Sequence, residues 1–200
     1  MPKRPVKDGD ISRRTVIASA ALIPVAAIKS TAQPQSVFSE AQRRTLEAAV
    51  DRLIPKDELG PGAVECGAVN YIDLSLADAL AGDKAPLLDG LAALDVFARS
   101  KYDAAFAGLS PDKQDELLTA IENNTATGFR PNSRAFFDRL RRLTFEGVFS
   151  DPHYGGNRNY GGWDLIRYPG PRLAVSPDDQ KIKAEIKPVR MSAYGGSHGH

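Results

Sequence analysis

Residues able to do chemistry are few in this chain. It has three histidines and one cysteine in 200 residues. His198 and His200 lie in a Gly/Ser-rich end, and His153 follows Asp151-Pro152. A single cysteine excludes a Cys-x-x-Cys-His haem attachment, a disulfide scaffold and a Cys-based zinc module. Gly155-Gly156 and Gly161-Gly162 follow no strand pattern, so they do not form a dinucleotide fingerprint. Neither a phosphate loop nor a His-Glu-x-x-His motif occurs. The neighbouring carboxylates Asp57-Glu58 and Asp178-Asp179 lie in loop-like sequence with nothing converging on them, which reads as solvated charge. Glu65 and Asp73 share roughly one side of an expected helix and are suited to bonding backbone or a partner's arginine. Cys66 precedes Gly67 and has two readings: a small buried helix residue, or a thiol able to pair between chains in an oxidising compartment. These residues predict no catalytic, cofactor-binding or metal site in this chain.

The residue types that do concentrate are those of an interface. Between Asp151 and Pro171 the helical period stops, and two Gly-Gly pairs alternate with aromatic residues. Tyr154, Asn157, Arg158, Tyr160, Trp163, Tyr168, Pro169 and Pro171 are the candidates for contact with a partner. Aromatic residues and arginine are enriched at interface centres, and long ordered loops tend to bind something. The competing reading is that Tyr160, Trp163 and Tyr168 fold back and cap the body of the protein.

That body must be helical. Ser39 and Gln42 form a capping-box pattern ahead of Leu46, Ala49, Val50 and Leu53, and Pro55 ends the run. A second helix is expected from Ala63 to about Leu80, through Val69, Ile72 and Leu76, with Gly82-Asp83 as its stop. A third is expected from about Pro86 to Phe106, through Leu87, Leu91, Leu94, Ala98 and Tyr102. Ser110-Pro111-Asp112 supplies an N-cap, an N1 proline and a first-turn acid for a fourth, with Leu117, Leu118 and Ile121 inward. A fifth begins near Asn132-Ser133 and reaches about Phe149, burying Phe136, Phe137, Leu140, Leu143 and Val148. Arg139, Arg141 and Arg142 fall on or beside its wet face. No strand pattern appears. The expected fold is all-α, a bundle of about five helices with a long Gly/aromatic-rich loop segment after it.

Apolar residues make up 42% of the chain and charged residues 26%, with a formal net charge of +1. This is enough apolar content for a core, and it gives no support to nucleic-acid binding. The charge is unevenly placed. Residues 1–32 hold six basic and two acidic residues, leaving 20 basic and 23 acidic in the rest. An uncharged stretch from Val16 to Ile28 follows the basic region, and Ser30-x-Ala32 resembles a cleavage site. Arg13 and Arg14, in Ser12-Arg13-Arg14-Thr15-Val16-Ile17, resemble a twin-arginine export signal. The apolar stretch is too short to span a bilayer comfortably, and an uncleaved signal anchor is the alternative. The expected organisation is a signal peptide over 1–32, a helical domain over 33–150, an irregular partner-binding segment over 151–190 and a flexible tail over 191–200.

Several of these motifs together resemble the gluconate 2-dehydrogenase subunit 3 family. They are the arginine pair, Leu53-Ile54-Pro55, the block from Gly62-Ala63 to Tyr71-Ile72-Asp73, and the run from Gly-Gly-Asn through Gly161-Gly162-Trp163 to Tyr168-Pro169-Gly170-Pro171. The resemblance implies a non-catalytic small subunit of a dehydrogenase complex. In such a complex a large flavoprotein of the glucose-methanol-choline type holds FAD, and a cytochrome c subunit carries haem c. The small subunit binds the flavoprotein, supports its folding and carries it through the twin-arginine translocase to the periplasm, at the inner membrane. The resemblance also implies that Cys66 is a candidate for an intersubunit disulfide. A free-standing periplasmic binding protein or enzyme, or a signal-anchored interaction module, remains as an alternative.

Overall fold

The computed structural model describes residues 36–172, 174–181 and 187–195. The expected export signal with Arg13 and Arg14, and the tail histidines His198 and His200, lie outside the described residues. Six α-helices follow one another: α1 (Glu40–Leu53), α2 (Ala68–Ala77), α3 (Ala81–Tyr102), α4 (Pro111–Glu122), α5 (Ser133–Phe149) and a short α6 (Gly161–Leu165). Three single 3₁₀ turns, Phe106–Gly108, Pro152–Tyr154 and Arg158–Tyr160, complete the order. The described residues contain no strand, only an isolated bridge between Asp57 and Gly60. None of the described helices is long and apolar enough to cross a membrane. The expected all-α class is what the chain adopts.

Helix α5 is the axis, packing most closely on α2 and then on α4. Its aromatic stripe makes this a core element, with Phe136, Leu140, Leu143 and Val148 essentially removed from water. They meet Leu46 and Val50 of α1, Ile72 and Leu76 of α2, Leu87, Leu91 and Leu94 of α3, and Leu117 and Ile121 of α4 in one cluster. Burial of each such side chain contributes about 1.5–3 kcal/mol. At the α2–α5 crossing a side chain on Gly147 would put a Cβ 2.7 Å from Ala68 Cα, so the two backbones touch through small residues.

Polar groups, most of them half-buried, tie the helices at defined points. Asp95 of α3 accepts from Thr45 Oγ1 of α1 and from the Phe106 backbone N–H at 3.0 Å. Gln114 donates to the Phe106 carbonyl at 3.0 Å. Arg52 of α1 grips Asp115 of α4 with two bonds of 2.7 and 2.8 Å. Asp83 accepts from both Arg139 and Arg142 of α5, and Arg142 also reaches Glu146.

Several boundaries differ from the sequence reading. Helix α2 starts five residues later than expected, because Gly67 adopts φ 76°, ψ 27° and the preceding residues form turns. Glu65 and Asp73 therefore do not share a helix. Glu65 accepts from Gly62 N–H at 3.2 Å, whereas Asp73 accepts from Val37 N–H at 2.7 Å. Gly82-Asp83 does not stop a helix but begins α3, where Asp83 is the first-turn acid. Pro86 lies inside α3 rather than opening it. Its absent N–H would have faced the carbonyl of Gly82, one residue into the helix, so the loss falls where the helix is only starting. The far end of α3 stops at Tyr102, as Asp103 turns left-handed at φ 54°. Ser110 precedes α4 but its side chain makes no capping bond, while Ser39 and Asn132 both do.

Candidate functional site

The Gly/aromatic segment is neither a loose loop nor wholly a surface. Asn157 is its centre and is fully buried. Its backbone N–H donates to Gly147 O at 2.8 Å, and its Nδ2 donates to Ser150 O at 2.9 Å. Its Oδ1 accepts from Gly162 N–H at 2.9 Å. The carbonyls at 147 and 150 belong to the last turn and cap of α5, where intrahelical donors run out. One side chain therefore finishes a helix and shapes the loop that follows it.

The glycines are explained by the same contact. A Cβ on Gly156 would lie 2.1 Å from Gly147 O, and one on Gly162 would lie 1.9 Å from Val148 O. No other residue fits where the segment lies flat on the end of α5. Trp163 completes the clamp, 6% exposed, with its indole N–H donating to Phe149 O at 2.9 Å. Asn70 of α2 donates to Gly155 O at 2.7 Å, and Arg158 N–H donates to Cys66 O at 2.9 Å. The segment thus joins the start of α2 to the end of α5.

The sequence candidates separate accordingly. Asn157 and Trp163 serve the chain's own packing, which for Trp163 is the capping alternative. Tyr160 is half-buried and tilted against Trp163, with ring centroids 5.5 Å apart. Tyr168 meets Trp163 edge-on at 4.9 Å but stays 40% exposed. Arg158 is exposed, and Pro169 and Pro171 are half-buried. Tyr154 is exposed and lies apart from these, its hydroxyl 2.6 Å from that of Tyr194. His153 stacks on Tyr194 with centroids 4.5 Å apart.

The expected partner-binding segment runs to residue 190, and its last residues bond back to its first part. Val189 N–H donates to Pro169 O at 2.8 Å, and Arg190 pairs with Asp164 at 2.6 Å. Ala193 N–H donates to Asp151 at 2.8 Å, and Ser192 is buried. The Ala193 bond and the buried Ser192 fall within the part expected as a tail over 191–200. A cleft of about 370 Å³ lies between Trp163, Asp164, Arg167, Tyr168, Pro169 and Pro188.

Cys66 is fully buried beneath this arrangement, unpaired, and faces the Pro61 carbonyl at 4.0 Å. Burial, with the negative charge of Glu65 beside it, pushes the thiol up to about 11. In this conformation the sulfur is shielded from solvent and its thiolate form is disfavoured. Asp57 accepts from Leu59 N–H at 2.8 Å, a turn function, and Asp179 caps Ser176 N–H at 3.0 Å. No group of three His, Cys, Asp or Glu side chains suited to a metal ion occurs among the described residues. What the described residues assemble here is a surface held by hydrogen bonds between α2, α5 and the Gly/aromatic segment.

Comparison with known proteins bears on that surface. No curated protein and no solved structure matches the chain. The family model described as gluconate 2-dehydrogenase subunit 3 matches residues 40–170, from α1 through the Tyr168-Pro169-Gly170 turn. The match spans both sides of the clamp, Cys66-Gly67 and Asn157 to Trp163. The chain therefore belongs to the gluconate 2-dehydrogenase subunit 3 family, a family of subunits that associate with others in a dehydrogenase complex.

Proposed function

We propose that this chain is the non-catalytic small subunit of a membrane-associated FAD/cytochrome c dehydrogenase complex. It binds and stabilises the large flavoprotein subunit and carries it through the twin-arginine pathway to the periplasm. The family match over residues 40–170 supports this reading most directly. The arginine pair Arg13-Arg14 supports the export part, because that route moves folded proteins.

FAD and haem c are assigned to the partner subunits. Among the described residues of this chain, the Gly-Gly turns and Cys66 do not fit either group. Its Gly-Gly turns press on the carbonyl oxygens of Gly147 and Val148, which would repel a phosphate. Its one cysteine is buried and lacks the neighbouring Cys and His that haem attachment needs.

The test is co-expression with the large flavoprotein subunit. The expected result is that the flavoprotein reaches the periplasm only with this chain. Replacing Arg13 and Arg14 by lysine is expected to leave both proteins in the cytoplasm. Export of active flavoprotein in the absence of this chain would refute the proposal.

A further inference from the structure

The chain returns to its body in a strap, residues 187–195, that no helix or strand supports. Ser192 is buried, and the other residues of the strap are exposed. Its hold therefore rests on polar bonds rather than on apolar burial, and a segment held in this way opens before the rest of a fold. The bonds fall into two groups. Residues 187–190 are tied to residues 169–172: Val189 N–H donates to Pro169 O at 2.8 Å, and Arg172 donates to Lys187 O at 3.1 Å. Neither tie contains a carboxylate. The Arg190–Asp164 pair beside them is exposed and adds little.

Residues 191–195 are held differently, through one carboxylate at the end of α5. Asp151 Oδ1 accepts from His153 N–H at 2.9 Å in its own turn, and Oδ2 accepts from Ala193 N–H at 2.8 Å in the strap. The Ser192 hydroxyl bonds to it as well, while Ser192 Oγ accepts from Tyr194 N–H at 3.1 Å. Three donors thus converge on Asp151. The charge of His153 favours the carboxylate. The Tyr154 phenol beside it, held above its ordinary value by its bond to Tyr194, stays neutral in acid. Glu146 in the last turns of α5 is taken by Arg142 and Tyr71. A protonated Asp151 sets a new donor among donors, and the bonds that remain lose the charge that makes them strong.

We propose that Asp151 is an acid-operated catch: when its carboxylate takes up a proton, residues 191–195 leave the body, pivot on the attachment at Val189 and bare the turn Pro152–Tyr154. Tyr194 then leaves the His153 ring, on which it stacks at 4.5 Å, and the Tyr154 hydroxyl, at 2.6 Å. Burial acts to raise the Asp151 carboxyl, but the bonds from His153, Ser192 and Ala193, with the His153 charge, together outweigh it and hold the group below its ordinary range. The closed strap is therefore favoured above the ordinary carboxyl value and is lost as the pH falls through the lower, folded one. None of the Asp151 side-chain bonds runs to an α-helix, so the helices keep their packing while the strap opens. The switch stands independently of the small-subunit reading.

The experiment is amide hydrogen exchange of the full chain over a series of pH values, read residue by residue as protection relative to a free peptide. The Ala193 and Tyr194 amides are expected to lose protection at least about tenfold, with a midpoint below about pH 3.9, while Leu140 and Leu143 of α5 keep theirs. Asp151→Asn, close in shape to the protonated acid, is expected to show that loss at neutral pH and to lack the acid step. Ser192→Ala removes one donor to the carboxylate and is expected to raise the midpoint, a displacement that lost packing alone would not give. Protection of Ala193 that falls only together with that of Leu140 and Leu143 overturns the proposal. So does full protection of Ala193 in Asp151→Asn at neutral pH, or an acid step that persists in that variant. If Asp151→Asn does not fold, Ser192→Ala decides, and an unmoved midpoint there overturns the assignment to Asp151.

Discussion

Asn157 shows how much one side chain decides here. It satisfies Ser150 O, which is half-buried, and Gly162 N–H, which is buried. Removing it leaves both unpaired, and Asn157→Ala is expected to cost about 2–4 kcal/mol, read as a lower urea midpoint. Asn157→Asp keeps the acceptor but loses the donor, so it is expected to fall between. In the sequence this residue reads as an interface candidate, because polarity and a glycine-rich setting suggest exposure; burial through long-range bonds leaves no local mark. Cys66 is the converse case, where one of the two sequence readings, a small buried residue, matches its place. Its thiol is held neutral by burial and by Glu65 up to about 11. The unfolded chain loses that proton earlier, so stability falls as the pH rises from about 9 to about 11. Cys66→Ala is expected to remove that part of the alkaline loss in urea titrations. A thiol reagent at neutral pH is expected to label Cys66 only after denaturant is added.

At the scale of elements, the starts of α1, α4 and α5 are legible, although at α4 the Ser110 side chain makes no capping bond. Ser39 and Asn132 mark the starts of α1 and α5, and both bonds form. Helices α2 and α3 were misplaced at their shared end because Gly82-Asp83 looks like a stop. Asp83 in fact anchors the first turn of α3 to Arg139 and Arg142. Burial acts to raise the Asp83 carboxyl, but the bonds and charges of the two arginines together outweigh it and hold it below its ordinary range. That stabilisation is present above the unfolded carboxyl value and is lost as the pH falls through the folded one. Asp83→Asn is therefore expected to flatten the acid limb of stability below about pH 4. Two glycine substitutions separate close approach from simple flexibility. Gly162→Ala has no room against Val148 O and is expected to destabilise by at least about 1–3 kcal/mol. Gly82→Ala meets nothing within 4 Å and is expected to stabilise by about 0.5 kcal/mol. Thermal melts of the two variants, expected to shift in opposite directions, would show this.

For the molecule as a whole, composition made the fold class readable, since apolar residues recur at helical spacing from Leu46 to Val148. The clamp was not readable, because its bonds join residues far apart in the chain. Asn70 and Gly155 are 85 positions apart, and Cys66 receives Arg158 from still further along. That separation bears on the order in which the protein is made. Synthesis delivers the arginine pair first, α1 to α5 next, and the residues that lock α2 to α5 almost last. Until Trp163 has emerged, the end of α5 and the carbonyl of Cys66 stay open. A chain cut short by a stop codon after Ser150 carries every long helix yet has no latch. Its expected fate is rapid proteolysis, measurable as a shorter half-life in cells, because the last quarter of the sequence supplies the latch that the helices lack.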